Sequence, residues 1–160
     1  MPLKKRTLQT RKKIGTQRSQ PNTKSKSVFQ NIISTFLQML NTVKLYHWKT
    51  HSYSTHKATD HLYSDLGEKI DEFVEVMLGK RNIVSESDIA RAGILDQSSL
   101  RFVSYKDNDE FRYQVEKYKL FLINLSEMPA LKGATNTDLH AIRDEMLALL
   151  NKFLYLLTLK

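Results

Sequence analysis

The chain has 160 residues, a formal charge of +8 and no cysteine. That length suits one domain with a core that needs no cross-links. It excludes disulfides and thiolate sites, so any metal would be held by His, Asp, Glu or water, and it points to an intracellular protein. No apolar run reaches the roughly 18 residues of a membrane span, and the N-terminus lacks the apolar middle of a signal peptide, so a soluble, unsecreted chain without a membrane partner is expected.

Residues 1–26 carry Lys4, Lys5, Arg6, Arg11, Lys12, Lys13, Arg18, Lys24 and Lys26 and no acidic residue. Nine of the 25 basic residues are thus in this stretch, and the remaining 16 face 17 acids. The stretch is rich in Gln, Ser and Thr and nearly free of large apolar side chains, so a disordered basic tail is expected. Uncompensated cations would bind DNA phosphates in a salt-dependent way, blind to base sequence. No aromatic is interleaved for base stacking. A merely solvated tail or a nuclear-import address fits the KKR and RKK clusters equally.

The folded domain is expected over 27–160, as an all-α four-helix bundle. Phe29, Ile33, Phe36, Leu40, Val43 and His47 step by four and three, predicting a first helix to about Thr50. A second stripe, Leu62, Tyr63, Leu66, Ile70, Phe73 and Met77, predicts a helix capped near Ser54 and ending at Gly79. Residues 80–106 show no sustained period and read as a crossover, with a short helix around 86–91. Asp107 and Glu110 form a capping-box pattern before Phe111, Val115, Tyr118, Leu122 and Leu125, a helix ended by Pro129. Caps at Thr135 to Thr137 open the last helix, with Leu139, Ile142, Met146, Leu149, Phe153 and Leu156 on one face. Short, long and short connections are those of a ferritin-like bundle.

The second helix carries His56, Asp60, Asp71 and Glu75 at intervals of 4, 11 and 4. At about 100° per residue they fall within one arc of roughly 100°. His47 ends the first helix, just before the turn that leads back to His56. Each residue alone reads as a solvated or hydrogen-bonded side chain. Five ligand types on compatible faces suggest a metal site. At a rise of about 1.5 Å per residue, His56 and Glu75 are nearly 30 Å apart, so one chain cannot bring all five to one metal. Two antiparallel copies about a two-fold axis could. The Glu-x-x-His pairs of di-iron bundles are absent.

His47-Trp48, His56-x3-Asp60 and Asp71-x3-Glu75 resemble the ferroxidase signature of the Dps family, the mini-ferritins called DNA-binding proteins from starved cells. The resemblance is dense from Tyr46 to Gly79 and looser at Thr137-Asp138-Leu139. It implies a dodecamer built from two-fold dimers, in which one subunit supplies the two histidines and first aspartate and its mate supplies Asp71 and Glu75. It also implies Fe(II) oxidation by peroxide or oxygen, iron storage and protection against oxidative stress, with Zn or Mn as other metals the ligands could take. Trp48 and Tyr63 could transfer electrons or simply pack; His61, Asp65 and His140 read as surface or supporting residues. The turn from His47 to His56 is about three residues shorter than the family's and lacks its glycine, which leaves His51 as an alternative ligand. The shortened turn also resembles an uncharacterised Dps-like family of large DNA viruses. The competing expectation is a non-enzymatic nucleic-acid packaging or structural oligomer with a vestigial metal site, in the cytoplasm, nucleoid, nucleus or virion.

Overall fold

The computed structural model describes residues 28–80, 105 and 107–159. The basic stretch 1–26 and most of the crossover, with the helix expected at 86–91, lie outside the described residues. Among those described are four α-helices and no strand: α1 (Val28–Lys49), α2 (Tyr53–Gly79), α3 (Asn108–Leu125) and α4 (Thr137–Leu156). A 3-10 turn, Ala134–Asn136, leads into α4.

The helices form a square in which α2 packs along α1 and α4, and α3 along α4 and, more lightly, α1. Their directions follow from paired contacts. Going down α1, Tyr46 stacks on Phe111, Thr42 bonds Tyr118 and Phe36 meets Phe121, so α3 runs opposite to α1. The three-residue turn after Lys49 makes α2 antiparallel to α1 as well, so α2 and α3 run the same way. Lys80 and Asp107, between which the long connection falls in sequence, therefore sit at opposite ends of the bundle.

The core is aromatic at its centre. Phe36 meets Phe73 and Phe121 edge-on at 5.2 and 6.1 Å, and Phe111 meets Phe153 at 5.8 Å. Tyr46 lies flat on Phe111 at 3.9 Å. The α3 stripe is buried as expected: Phe111, Val115, Tyr118, Leu122 and Leu125. On α1 Phe29, Ile33, Phe36, Val43 and His47 are buried as expected, but Met39 and Tyr46 join them and Leu40 is only half-buried. On α4 Leu150 and Leu154 are buried where Leu149 and Leu156 were expected. Stripes on both helices admit a step of three or four at several points, and the facing helix decides which is taken.

Caps also differ in detail. Ser52, rather than Ser54, starts α2, its hydroxyl accepting from Thr55 N at 3.3 Å. Asp107 accepts from Asp109 N and Glu110 N at the start of α3. The N-cap residue of α4, Asn136, makes no capping bond: its side chain donates to Leu131 O at 3.0 Å, and the turn before it uses Gly133 at φ 126°, a left-handed conformation suited to glycine.

Candidate metal centre

His47 is the last core-facing residue of α1 and is 8% exposed. The turn after it is short because Thr50 N still bonds Tyr46 O, Ser52 N bonds Thr50 Oγ1, and Ser52 caps the next helix. Only three residues separate the helices, so the first turn of α2 falls back onto the last turn of α1. His56 is thereby placed on His47: the rings stack at 3.9 Å with planes inclined by 24°.

The stack is held by crossed hydrogen bonds. Nδ1 of His47 lies 3.1 Å from the His56 carbonyl oxygen, and Nδ1 of His56 lies 3.1 Å from the His47 carbonyl oxygen. A carbonyl only accepts, so each Nδ1 must carry the proton in the neutral ring. Both Nε2 atoms then keep a lone pair, the form of imidazole that ligates metals. Asp60, one turn after His56, places Oδ1 4.0 Å from His47 Nε2 and remains 53% exposed.

The expected residues are thus brought together only in part. His47, His56 and Asp60 gather at the α1–α2 turn, whereas exposed Asp71 and Glu75 lie along α2, away from them by roughly 16 Å between Asp60 and Asp71. Among the described residues no group of three or more His, Asp and Glu side chains is placed to hold a metal ion within the chain. The histidines themselves do not share an ion in this arrangement: an imidazole binds a metal near its own plane, and planes so nearly parallel converge far beyond the roughly 2 Å of a nitrogen–metal bond.

Asp71 edges an apolar groove of about 310 Å³ along the outer α1–α2 seam, lined by Leu37, Leu40, Gly67 and Val74 among others. Further up the seam the Lys44 ammonium lies over the rings of Trp48 and Tyr63, at 5.8 and 4.7 Å from their centroids. Trp48 is 69% exposed and Tyr63 half-buried. His51 is exposed on the other side of the turn, lining a pocket with Tyr46, Lys49 and Asp107, apart from the histidine stack. His61 and Asp65 border a groove against Leu149 and Lys152 of α4, and His140 donates from Nε2 to Leu131 O.

Thr59 is the residue that sequence reasoning missed. It is fully buried, and its hydroxyl lies 2.9 Å from the carbonyls of Thr55 and His56 and 3.2 Å from His47 Nδ1. Thr55 and Thr59 extend the Leu62–Leu66 line by steps of four and three, a signal that polar side chains would be held in the core.

Residues 47–157 match the model of a family of unknown function (DUF5856). The matched stretch begins at His47 and includes His56, Asp60, Asp71 and Glu75. No curated protein and no solved structure matches the chain.

Proposed function

The chain belongs to the DUF5856 family of unknown function, and we propose that it is a ferritin-like, Dps-like protein whose substrate is Fe(II), bound and oxidised at sites shared by two chains. The observation that carries this reading is the histidine pair: two buried or half-buried rings whose crossed bonds leave both Nε2 atoms with a lone pair able to ligate a metal, beside an exposed carboxylate, Asp60.

Spacing supplies the second half. His56 and Asp60 stand as far to one side of a point between Asp65 and Leu66 as Glu75 and Asp71 stand to the other. A two-fold axis crossing α2 there would set the histidine end of each copy against the Asp71 and Glu75 of its mate. Gly67 lies close to that point and on the same arc, at about 20° from His56, so two helices could approach there without a side chain between them. The apolar groove beside it would be covered in the same contact.

In such a pair each histidine serves its own metal position, in keeping with the stacked planes, and carboxylates complete the ligand set. Hard carboxylate oxygens favour Fe(III) over Fe(II), which draws the oxidation forward. Two ferrous ions give one electron each to peroxide, which takes up two protons and leaves as two waters. His47, His56, Asp60, Asp71 and Glu75 are the proposed ligands, and the nine cations of residues 1–26 the proposed DNA contacts, multiplied by assembly into a larger shell.

Iron-dependent peroxide consumption tests the reading. The intact protein should consume peroxide with Fe(II), and the Asp71→Ala, Glu75→Ala double variant should lose the activity while keeping its fold. An inactive intact protein that still assembles and retards DNA would instead establish the non-enzymatic packaging oligomer.

A further inference from the structure

The proposed centre leaves unexplained a buried hydroxyl at its base. Thr59 stands three residues after His56 and one before Asp60, fully buried, at the point where the His47 ring meets α2. A hydroxyl inside a helix is commonly satisfied by the carbonyl one turn back, and Thr59 reaches both Thr55 O and His56 O. Donating its single proton to one of them leaves its lone pairs directed elsewhere. The polar atom within reach is His47 Nδ1, at 3.2 Å.

We propose that Thr59 is a positioning residue for His47. Its oxygen and the His56 carbonyl together take the Nδ1 proton, which fixes the ring's rotation and turns Nε2 toward Asp60. His56 is fixed without it, by the His47 carbonyl alone. The asymmetry gives a specific expectation: removing the Thr59 hydroxyl disturbs His47 and leaves His56 unchanged. The supporting atom of a ligating histidine commonly alters metal affinity by 10- to 100-fold when removed. Here one of two acceptors remains, so the low end, about 10-fold, is expected. This inference rests on the metal reading only for its consequence, since the placement of the proton concerns the metal-free chain.

The experiment is long-range proton–nitrogen correlation NMR on metal-free, histidine-labelled full chain at a pH of about 8, above the ordinary histidine range. It reads which ring nitrogen bears hydrogen. In the intact protein both His47 and His56 should be protonated on Nδ1. In Thr59→Val, of nearly the same shape, His47 should keep its proton on Nδ1 through the His56 carbonyl but show a shifted Nδ1 resonance and a less restricted ring, while His56 keeps its signal, and Thr59→Ser should restore His47. Co(II) titration, followed by its visible absorption, should weaken about 10-fold in Thr59→Val and recover in Thr59→Ser. An intact protein with His47 protonated on Nε2 overturns the proposal without any variant, and so does a folded Thr59→Val with an unchanged His47 signal. If the proton placement is as stated and Co(II) fails to bind the intact protein, the metal reading falls and the positioning role stands. If Co(II) binds and Thr59→Val changes nothing, the reverse holds.

Discussion

Gly67→Ala tests the outer α1–α2 seam, because its effect on one chain and on a pair of chains should have opposite signs. Gly67 is inside α2, where glycine costs about 1 kcal/mol relative to alanine. A Cβ at this position would meet Leu40 Cδ2 at 3.8 Å, an ordinary van der Waals contact, and nothing closer. The new methyl is partly covered, adding at most about 0.8 kcal/mol from its removal from water. The single chain should therefore gain roughly 1 to 1.5 kcal/mol, or about 4 to 6 °C in midpoint for a domain of this size. If two copies of α2 cross near Gly67, the same methyl lies between them and association weakens. Urea unfolding followed by circular dichroism in dilute solution, with sedimentation velocity at high concentration, separates the two effects. The expected result is a higher urea midpoint and smaller species. A lower midpoint in dilute solution would refute the account of free space at the seam. A higher midpoint with unchanged assembly would place the contact between copies elsewhere.

The buried hydroxyls offer a second test: Tyr118→Phe removes the 2.8 Å bond to Thr42 and should cost about 1 to 2 kcal/mol in urea unfolding, with little change in secondary structure. Burial first, and then neighbouring Tyr118, pushes the Tyr105 phenol up to about 12, and burial together with Asp107 and Asp109 raises Tyr46. The folded state thus favours the neutral phenols. Their contribution is whole below about pH 10, where unfolded tyrosine is also neutral, and falls as pH rises toward 12. Stability should decline over that window together with the onset of tyrosinate absorbance. At the other extreme, the bonds from Lys80 and from Leu139 N hold Asp138 below the usual carboxylate range. That stabilisation is present above about pH 4 and disappears as pH falls below it, so Asp138→Asn should flatten the acid limb of a urea-midpoint profile. Deleting residues 1–26 should abolish DNA retardation at low salt; retardation that survives would exclude the basic stretch as the contact.

Much of the bundle was legible because helix periodicity reports burial directly. The α3 stripe could be read residue by residue, since Phe111, Val115 and Tyr118 set the phase among polar neighbours, and carrying it through the apolar run from Leu120 to Ile123 selects Leu122 and then Leu125. One position of the α1 stripe could not, because Met39 and Leu40 are both apolar and the choice between them belongs to the packing of α3 and α2 against it. The start of α4 illustrates a different limit: Thr135 and Thr137 were plausible caps, but the fold uses the Asn136 side chain to bind the preceding turn at Leu131 instead. At the candidate centre, ligand types and spacing were visible in the sequence. The crossed bonds of His47 and His56 were not, because they depend on how tightly the three-residue turn closes. The same closure separates His51 from the stack, a distinction that residue type alone could not draw.

Helix α2 is fastened at both extremities, by the crossed histidine bonds at its first turn and by Lys80, which reaches Thr135 O and Asp138 from just beyond its last. A rod pinned in this way has a set phase as well as a set length. Inserting one residue between Asp60 and Asp71 would lengthen the rod by only about 1.5 Å but turn one half against the other by about 100°. The anchors would then hold the two carboxylate groups on different sides of the helix. A coupling that tolerates substitution along α2 would be destroyed by a change of count, and each half would still be locally intact.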